Sequence, residues 1–306
     1  MFPAEPLRLD ALNAVDATVN LRLENLRLPS GTQVRSLEAG AVLASGQLDV
    51  DRFSLALGGG RISGSLHVRS GRRSGFEAKL DGDGVALAAL LGAAGTSAGV
   101  EGAATDLTVA LSGNGSSLHE WMASLDGKVR VVVGPGSFES RTLAFGGDVL
   151  TQALAAVNLD RTGASRTELR CAVVNVPVSA GVAHLDNRVA AETSRFDLAV
   201  SGSVNLGTEV LDLDLRSRAT QGLGLGLANL ATLARVSGPF SAPSLTLDPK
   251  DALETAYSLR SLFKTRGRSL VQDRIRQRAF PDSPCKTALR AGAEKHKSLW
   301  DLFRRL

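Results

Sequence analysis

Apolar and polar residues alternate along much of the chain, which indicates β-strands with one apolar face and one solvated face. Clear examples are the FDLAVS run at residues 196–201 and the LDLDLR run at residues 211–216. Near the N-terminus, Val19, Leu21 and Leu23 alternate with polar residues, and the phase slips at Asn25. A slip of this kind predicts a bulge or the end of a strand.

The same alternation recurs in short runs that turn residues separate. It predicts further strands at residues 34–43, 47–57, 62–68, 75–80, 105–112, 127–133 and 168–176. Turns are predicted at residues 29–31, 58–60, 81–84, 113–115 and 134–136. Few segments between these strands are long enough for the crossover helices of a parallel sheet. The predicted fold class is therefore mainly β: an elongated, curved antiparallel sheet that forms a groove, with a few amphipathic helices and a helical C-terminal tail.

Apolar residues at helical spacing predict helices at residues 117–125, 142–159, 224–234, 250–263, 268–279 and 286–306. The last three form a tail, so the chain is predicted to divide into a β-groove region, residues 1–249, and a basic helical tail, residues 250–306. Charge supports this division, because residues 257–306 carry a net charge of +9 while the whole chain carries only +4. The remainder of the chain is therefore acidic.

Three interpretations of the basic tail stay open: a solvated helical surface packed on the sheet, contact with an anionic membrane surface, or contact with nucleic acid. Basic helix faces backed by apolar residues suit an anionic membrane surface. No nucleic-acid-binding motif accompanies the charge, so no nucleic-acid partner is expected. The membrane-surface candidates are Arg274, Arg276, Arg278, Trp300, Arg304 and Arg305.

No group of residues indicates catalysis. The GTSAG run at residues 95–99 matches G-x-S-x-G, but no strand leads into it, so a loop is predicted rather than a nucleophile elbow. The four histidines are expected to stand apart from other metal ligands: His67, His119, His184 and His296. Asp212 and Asp214 are interpreted as charges on the solvated face of a strand. The expectation is a protein without enzymatic activity, catalytic residues, metal or cofactor.

Cysteine content and apolar runs add two expectations. Cys171 and Cys285 are too few for a disulfide scaffold, and the residues leave open one bridge in an oxidising compartment or two buried thiols. No apolar run approaches the roughly 18 residues of a membrane span. The first ten residues, MFPAEPLRLD, contain neither the basic nor the apolar region of a signal peptide.

The order of residues from 195 to 248 resembles the C-terminal region of the AsmA family of bacterial envelope proteins. The resemblance rests on the LDLDL run and on Gly202, Val204, Asn205, Leu206, Thr208, Glu209, Val236, Gly238, Phe240 and Pro243. Weaker similarity extends over about residues 7–289, and the sequence contexts of both cysteines look like family features. The resemblance implies a bridge-like, chorein-related β-groove in the periplasm that handles lipid in outer-membrane biogenesis. It also implies attachment to the inner membrane through an anchor that these residues do not include.

Continuous apolar faces on nearly every strand, with few helices to cover them, indicate a surface that binds something apolar. The expected ligands are phospholipid acyl chains, and other envelope proteins are possible partners. The lipid-groove candidates are Val19, Leu21, Leu23, Leu55, Leu57, Leu66, Val68, Leu107, Val109, Leu111, Val129, Val131, Phe196, Leu198, Val200, Leu211, Leu213 and Leu215. Two alternatives stay open: a closed β-sandwich in which these faces pack on each other, and an envelope scaffold or assembly factor that binds partner proteins through its sheet edges.

Overall fold

A computed structural model describes residues 1–71, 74–95, 99–139, 166–219, 232–247 and 283–291. These residues form one antiparallel sheet of 16 strands with few helices, which confirms the predicted mainly-β fold class. The strands are β1 (Ala17–Arg27), β2 (Gln33–Ala44), β3 (Gln47–Leu57), β4 (Gly60–Arg69), β5 (Gly75–Ala86), β6 (Val100–Gly102), β7 (Ala104–Asn114), β8 (Asp126–Val133), β9 (Gly136–Glu139), β10 (Arg166–Ser179), β11 (Val182–His184), β12 (Val189–Thr193), β13 (Phe196–Asn205), β14 (Val210–Ala219), β15 (Thr232–Pro239) and β16 (Ser244–Leu247).

The strands follow one another across the sheet almost in chain order. The path runs β1-β2-β3-β4-β5-β7-β8-β10-β11-β13-β14-β15-β16. Three short strands lie off this path: β12 pairs with β10 and β13, β9 pairs with β10, and β6 pairs with β9. Hairpin-like connections of this kind place each strand next to its predecessor. Within the described residues, β1 pairs only with β2 and β16 only with β15, so these two strands form the edges of the sheet.

Among the described residues, three α-helices accompany the sheet. Helix α1 (Leu87–Ala93) lies between β5 and β6 in the chain, α2 (Leu118–Ala123) connects β7 to β8, and α3 (Pro284–Arg290) comes from the C-terminal part of the chain. A short 3-10 helix, Leu9–Asn13, precedes β1. Because α1 precedes β7 and α2 follows it, the two helices lie at opposite ends of the strands. We call these ends the α1 rim and the α2 rim.

Local capping explains why α2 forms at a strand-to-strand connection. Ser117 is its N-cap, and its hydroxyl accepts a hydrogen bond from the Glu120 backbone N–H at 3.1 Å. The Glu120 carboxylate accepts from the Ser116 backbone N–H at 2.5 Å and from the Ser116 hydroxyl. These bonds lower the pKa of Glu120, with the Ser116 backbone bond as the largest cause. The predicted helix at residues 117–125 is thereby confirmed.

Two local predictions were wrong. The predicted turn at residues 81–84 lies inside β5, which continues to Ala86 with a register shift against β7 between Gly82 and Val85. Gly84 has a φ of 61°, so the DGDG run makes an irregularity in the strand instead of a reversal. The last three residues of the predicted helix at 224–234 belong to β15, where they pair with β14.

The phase slip at Asn25 was predicted as a bulge or strand end, and Asn25 has a φ of 56° inside β1.

Several predictions lie outside the described residues. They are the helices at residues 142–159, 250–263 and 268–279, most of those at 224–234 and 286–306, the core of the GTSAG run, and all six membrane-surface candidates. The predicted boundary between residues 249 and 250 lies there too and stays a prediction.

Candidate functional site: the apolar face of the sheet

One row of residues crosses the sheet from edge to edge on a single face. Successive cross-strand partners are Leu23, Leu37, Leu55, Ile62, Gly82, Leu107, Val131, Val174, Val189, Val200, Leu215, Ala234 and Leu247. Directly opposed residues of paired strands point to the same side of a sheet. Every strand position therefore contributes an apolar residue or a glycine to this face, which we call the apolar face.

All eighteen lipid-groove candidates lie on the apolar face. Residues two apart along a strand share a face, and each candidate is either in the row described above or two, four or six residues from a row member on the same strand. The structure thus brings together on one surface residues that are up to 196 positions apart, Val19 and Leu215. Sequence reasoning missed other members of this surface, such as Ile62, Val174 and Val189, although the same alternation marks them.

Side chains on the apolar face are mostly half-buried. Of the eighteen candidates, Val19, Leu21 and Leu23 are exposed, and Leu57, Phe196, Val200 and Leu215 are buried. The other eleven are intermediate. A second sheet packed on this face would bury them, as in the interior of a β-sandwich. The described strands instead form one continuous sheet, so the closed-sandwich alternative does not describe this architecture.

Helix α1 covers the apolar face near the α1 rim. Its Ala89 and Leu90 pack against a cluster of buried residues that includes Val34, Leu57 and Val85. Val85 is fully buried and Leu57 is 2% exposed, so this is the best-packed part of the first five strands. The predicted strands accounted for Leu57, but nothing in the sequence analysis predicted the helix above it.

Helix α2 covers the same face near the α2 rim. The ring of Trp121 lies 4.8 Å from that of Phe76 on β5, centroid to centroid, and the Trp121 indole N–H donates to the Gly115 carbonyl at 2.9 Å. Phe76 belongs to the apolar face, because it is the cross-strand partner of Val68. The middle of the apolar face thus lies between two short helices, one at each rim.

The N-terminal segment runs along the α2 rim. The Phe2 N–H donates to Glu209 between β13 and β14, and the Leu7 N–H donates to Ser116 at the start of the α2 connection. Farther along, the Asn13 amide donates to Ser70 between β4 and β5 at 3.2 Å. These bonds tie the turns of this rim together.

The opposite face of the sheet, which we call the back face, carries charge. Cross-strand ion pairs join Arg22 to Glu38 and Arg235 to Asp212. The Arg235–Asp212 pair is bidentate, with N–O distances of 2.8 and 2.7 Å, and this hydrogen bonding lowers the pKa of Asp212.

The expectation that all four histidines stand apart was wrong for His67, whose Nδ1 lies 2.8 Å from Asp49 Oδ1. A single carboxylate at that distance explains the contact as an ordinary hydrogen bond.

Helix α3 packs on the back face, where a disulfide between Cys171 of β10 and Cys285 of α3 fixes it. The Glu192 carboxylate accepts hydrogen bonds from the Cys285 backbone N–H at 3.0 Å and from the Ser283 hydroxyl. Glu192 and the two sulfurs lie within 4.8 Å of one another. Because the sulfurs are bonded to each other, this group acts here as a helix attachment.

No helix among the described residues is long and apolar enough to cross a membrane.

The protein belongs to the class of mainly-β proteins built on one large antiparallel sheet, here with one continuous apolar face and one charged face. A sequence model of the AsmA family matches residues 1–187, and the chain belongs to the AsmA family. This confirms the family resemblance, although the matched range ends before residues 195–248. No curated protein and no solved structure matches the chain. Family membership supports a role in the bacterial cell envelope.

Proposed function

We propose that the protein binds phospholipid acyl chains along its apolar face and carries out no chemistry on them. The observation that carries this proposal is the row of residues from Leu23 to Leu247, which is apolar at twelve of its thirteen strand positions and has Gly82 at the other. Apolar side chains left half-buried in such number are a binding surface for an apolar ligand. Membership in the AsmA family agrees with this ligand class.

The direction of the bound chains follows from the covering helices. Helices α1 and α2 lie over the two strand ends, while Val19, Leu21 and Leu23 are exposed at the β1 edge. An acyl chain therefore runs across the strands, from one sheet edge toward the other, with its headgroup in water. In the cell we place this activity in the periplasm, next to the inner membrane and in outer-membrane biogenesis.

The test is native mass spectrometry with lipid extraction on the full chain, comparing the wild type with Val109→Asp and Leu198→Asp. We expect bound phospholipid at a defined stoichiometry in the wild type. Losing roughly 1.5 kcal/mol of apolar contact at either position corresponds to about tenfold weaker binding. Thr108→Asp is the matched control, because Thr108 is exposed and faces the other side of β7.

A lipid-free wild type, or an equal loss in Thr108→Asp, would overturn the proposal. If the aspartate variants fail to fold, a photo-crosslinking residue at position 109 replaces them. It should capture phospholipid, and the same residue at position 108 should not.

A second candidate function is an envelope scaffold that binds partner proteins through sheet edges. The observation that favours it is β1, all eleven residues of which are exposed. A long edge strand presents unpaired backbone groups that can pair with a strand of another protein. The test is Leu21→Asp, which places a charge on this edge strand. Loss of binding to the partner protein with intact lipid binding would favour the scaffold function.

A further inference from the structure

A cavity of about 450 Å³ lies at the α1 rim, between β1, β2 and the turn that joins β3 to β4. Its lining includes the polar residues Asn25, Arg27, Gln33 and Arg35 and the apolar residues Val34 and Leu57. Arg27 and Gln33 are cross-strand partners next to the Leu26–Val34 pair, which belongs to the apolar face. The side chains of Arg27 and Gln33 therefore belong to the back face.

Two neighbouring irregularities create this cavity. Asn25, with a φ of 56°, is missing from the ladder between β1 and β2. The ladder between β2 and β3 shifts register between Val34 and Ser36, which leaves Arg35 without a partner on β3. Bulged residues of this kind kink a strand and redirect its side chains, often beside a binding site.

The floor of the cavity is held in place from behind. Val34 and Leu57 are 3% and 2% exposed, and both belong to the cluster that α1 covers. Gly58 and Gly59 form the β3–β4 turn with φ values of 56° and 84°, and a side chain at Gly58 would collide with Ala89 of α1. The concavity is therefore formed before any ligand arrives, which reduces the entropy cost of binding.

The cavity is cationic. Within the described parts of the chain, neither Arg27 nor Arg35 forms an ion pair, whereas Arg22 on the same strand is paired with Glu38. Glu24 is the closest acidic residue along β1, and its ladder partner is Ser36. Two guanidinium groups without an ion-pair partner lie beside the amides of Asn25 and Gln33, whose NH2 groups can also donate hydrogen bonds.

We propose that this cavity binds a phosphate-bearing group, with Arg27 and Arg35 as the charged donors. A guanidinium donates two parallel hydrogen bonds to phosphate oxygens, which makes arginine the usual residue for this ligand. The volume lies within the range of small-molecule sites. The exposed Leu26 lies between the lining residues Asn25 and Arg27 on the edge strand β1. Because an apolar residue is exposed next to the cavity, a phospholipid headgroup is the favoured source of the phosphate. The choice of a lipid headgroup as the source rests on the proposed function, whereas the assignment of the cavity to a phosphate group does not.

The test measures binding of the full chain to phosphatidylglycerol vesicles, to phosphatidylcholine vesicles and, separately, to inorganic phosphate. The variant is the double substitution Arg27→Gln with Arg35→Gln. The matched control is Arg52→Gln with Arg130→Gln, two exposed back-face arginines that lie outside the cavity and form no ion pair with a described residue. Both doubles remove the same charge, and circular dichroism verifies their folding.

Because the cavity variant loses charge-assisted hydrogen bonds, it should bind phosphate at least about tenfold more weakly. The control should stay within about twofold of the wild type. Loss in the cavity variant on phosphatidylglycerol vesicles alone identifies a lipid headgroup, and loss on inorganic phosphate alone identifies free phosphate. Equal weakening in both doubles, or a wild type that binds neither phosphatidylglycerol vesicles nor inorganic phosphate, would overturn the proposal.

Failure of the proposed function is distinguishable from failure of this site. The cavity variant leaves the apolar face intact, so phospholipid that co-purifies through its acyl chains should remain. A wild type that carries no lipid but binds phosphate through Arg27 and Arg35 would reject the function and keep the site.

Discussion

Cys171 on β10 and Cys285 on α3 are joined by a disulfide although 114 residues separate them, and their Cα atoms lie 6.6 Å apart. The bond attaches α3 to the back face, beside the buried Val173 and Ala190. Asn175 supports the attachment, since its amide donates to the Ala288 carbonyl at 3.0 Å. Helix α3 is thereby fixed on the side opposite the apolar face.

Replacing both cysteines with serine should destabilise the protein by about 2–4 kcal/mol, because a bridge that closes a long loop restricts the unfolded chain. Urea unfolding of the oxidised wild type and the Cys171→Ser/Cys285→Ser double variant measures the difference. Adding a reductant to the wild type should lower its midpoint toward that of the variant. Identical midpoints in all three samples would contradict the prediction.

Trp121 should anchor α2 to the apolar face. Trp121→Ala removes the contact with Phe76 and the hydrogen bond to Gly115, and it should cost about 2–4 kcal/mol for a half-buried aromatic side chain. Trp121→Phe keeps an aromatic ring over Phe76 and should cost less. Thermal unfolding followed by circular dichroism compares the two variants, and an equal loss in both would count against the ring contact.

Alternation predicted most of the fold because each strand has only one solvated face. The LDLDLR run showed which side chains of β14 share a surface, and the same reasoning placed Val109 and Leu198 together. The sequence could not show α1, because the small residues of LAALLGA have no polar face that would mark a helix. Nor could it choose between a bridge and two thiols, since the attachment of Cys285 depends on Glu192, a residue 93 positions away.

The cavity was beyond prediction for a related reason. The phase slip at Asn25 was visible, but its position opposite Arg35 depends on the register between β1 and β2. Arg27 and Arg35 are ordinary charged residues of alternating strands when the sequence is considered alone. Strand pairing brings Arg27 and Arg35 to the same cavity, and the packing of α1 against the Gly58 turn holds that cavity in shape.

Gly64→Ala should destabilise the sheet, whereas Gly40→Ala should be tolerated. A Cβ at position 64 would lie 2.1 Å from the Lys79 carbonyl oxygen, which belongs to the backbone of the neighbouring strand. A Cβ at position 40 would lie 3.4 Å from the side-chain oxygen of Asn20, which can move aside. Overpacking typically costs about 1–3 kcal/mol, and urea unfolding should show this difference between the variants. A smaller loss for Gly64→Ala than for Gly40→Ala would show that β4 and β5 can separate freely.

The pair formed by Asp212 and Arg235 should make a small, pH-dependent contribution to stability. Both side chains are about half exposed, at 49% and 54%, so solvent screens their attraction and the contribution is small. The pKa of Asp212 is lower in the folded protein, chiefly because of the Arg235 hydrogen bonds. The contribution is therefore present above the unfolded pKa of about 3.9 and is lost as the pH falls through the folded value.

Asp212→Asn should accordingly lower the free energy of unfolding at pH 7 and in low salt, and the difference from the wild type should shrink progressively below about pH 4. High salt should reduce the difference at pH 7 as well, because the pair is exposed. Asp83→Asn is the matched control, since Asp83 is exposed on β5 and forms no ion pair with a described residue. Urea titrations at pH 7 and pH 3 measure all three proteins. A difference that grows on acidification would mean that protonated Asp212 is the stabilising form, which would reverse the role assigned to Arg235.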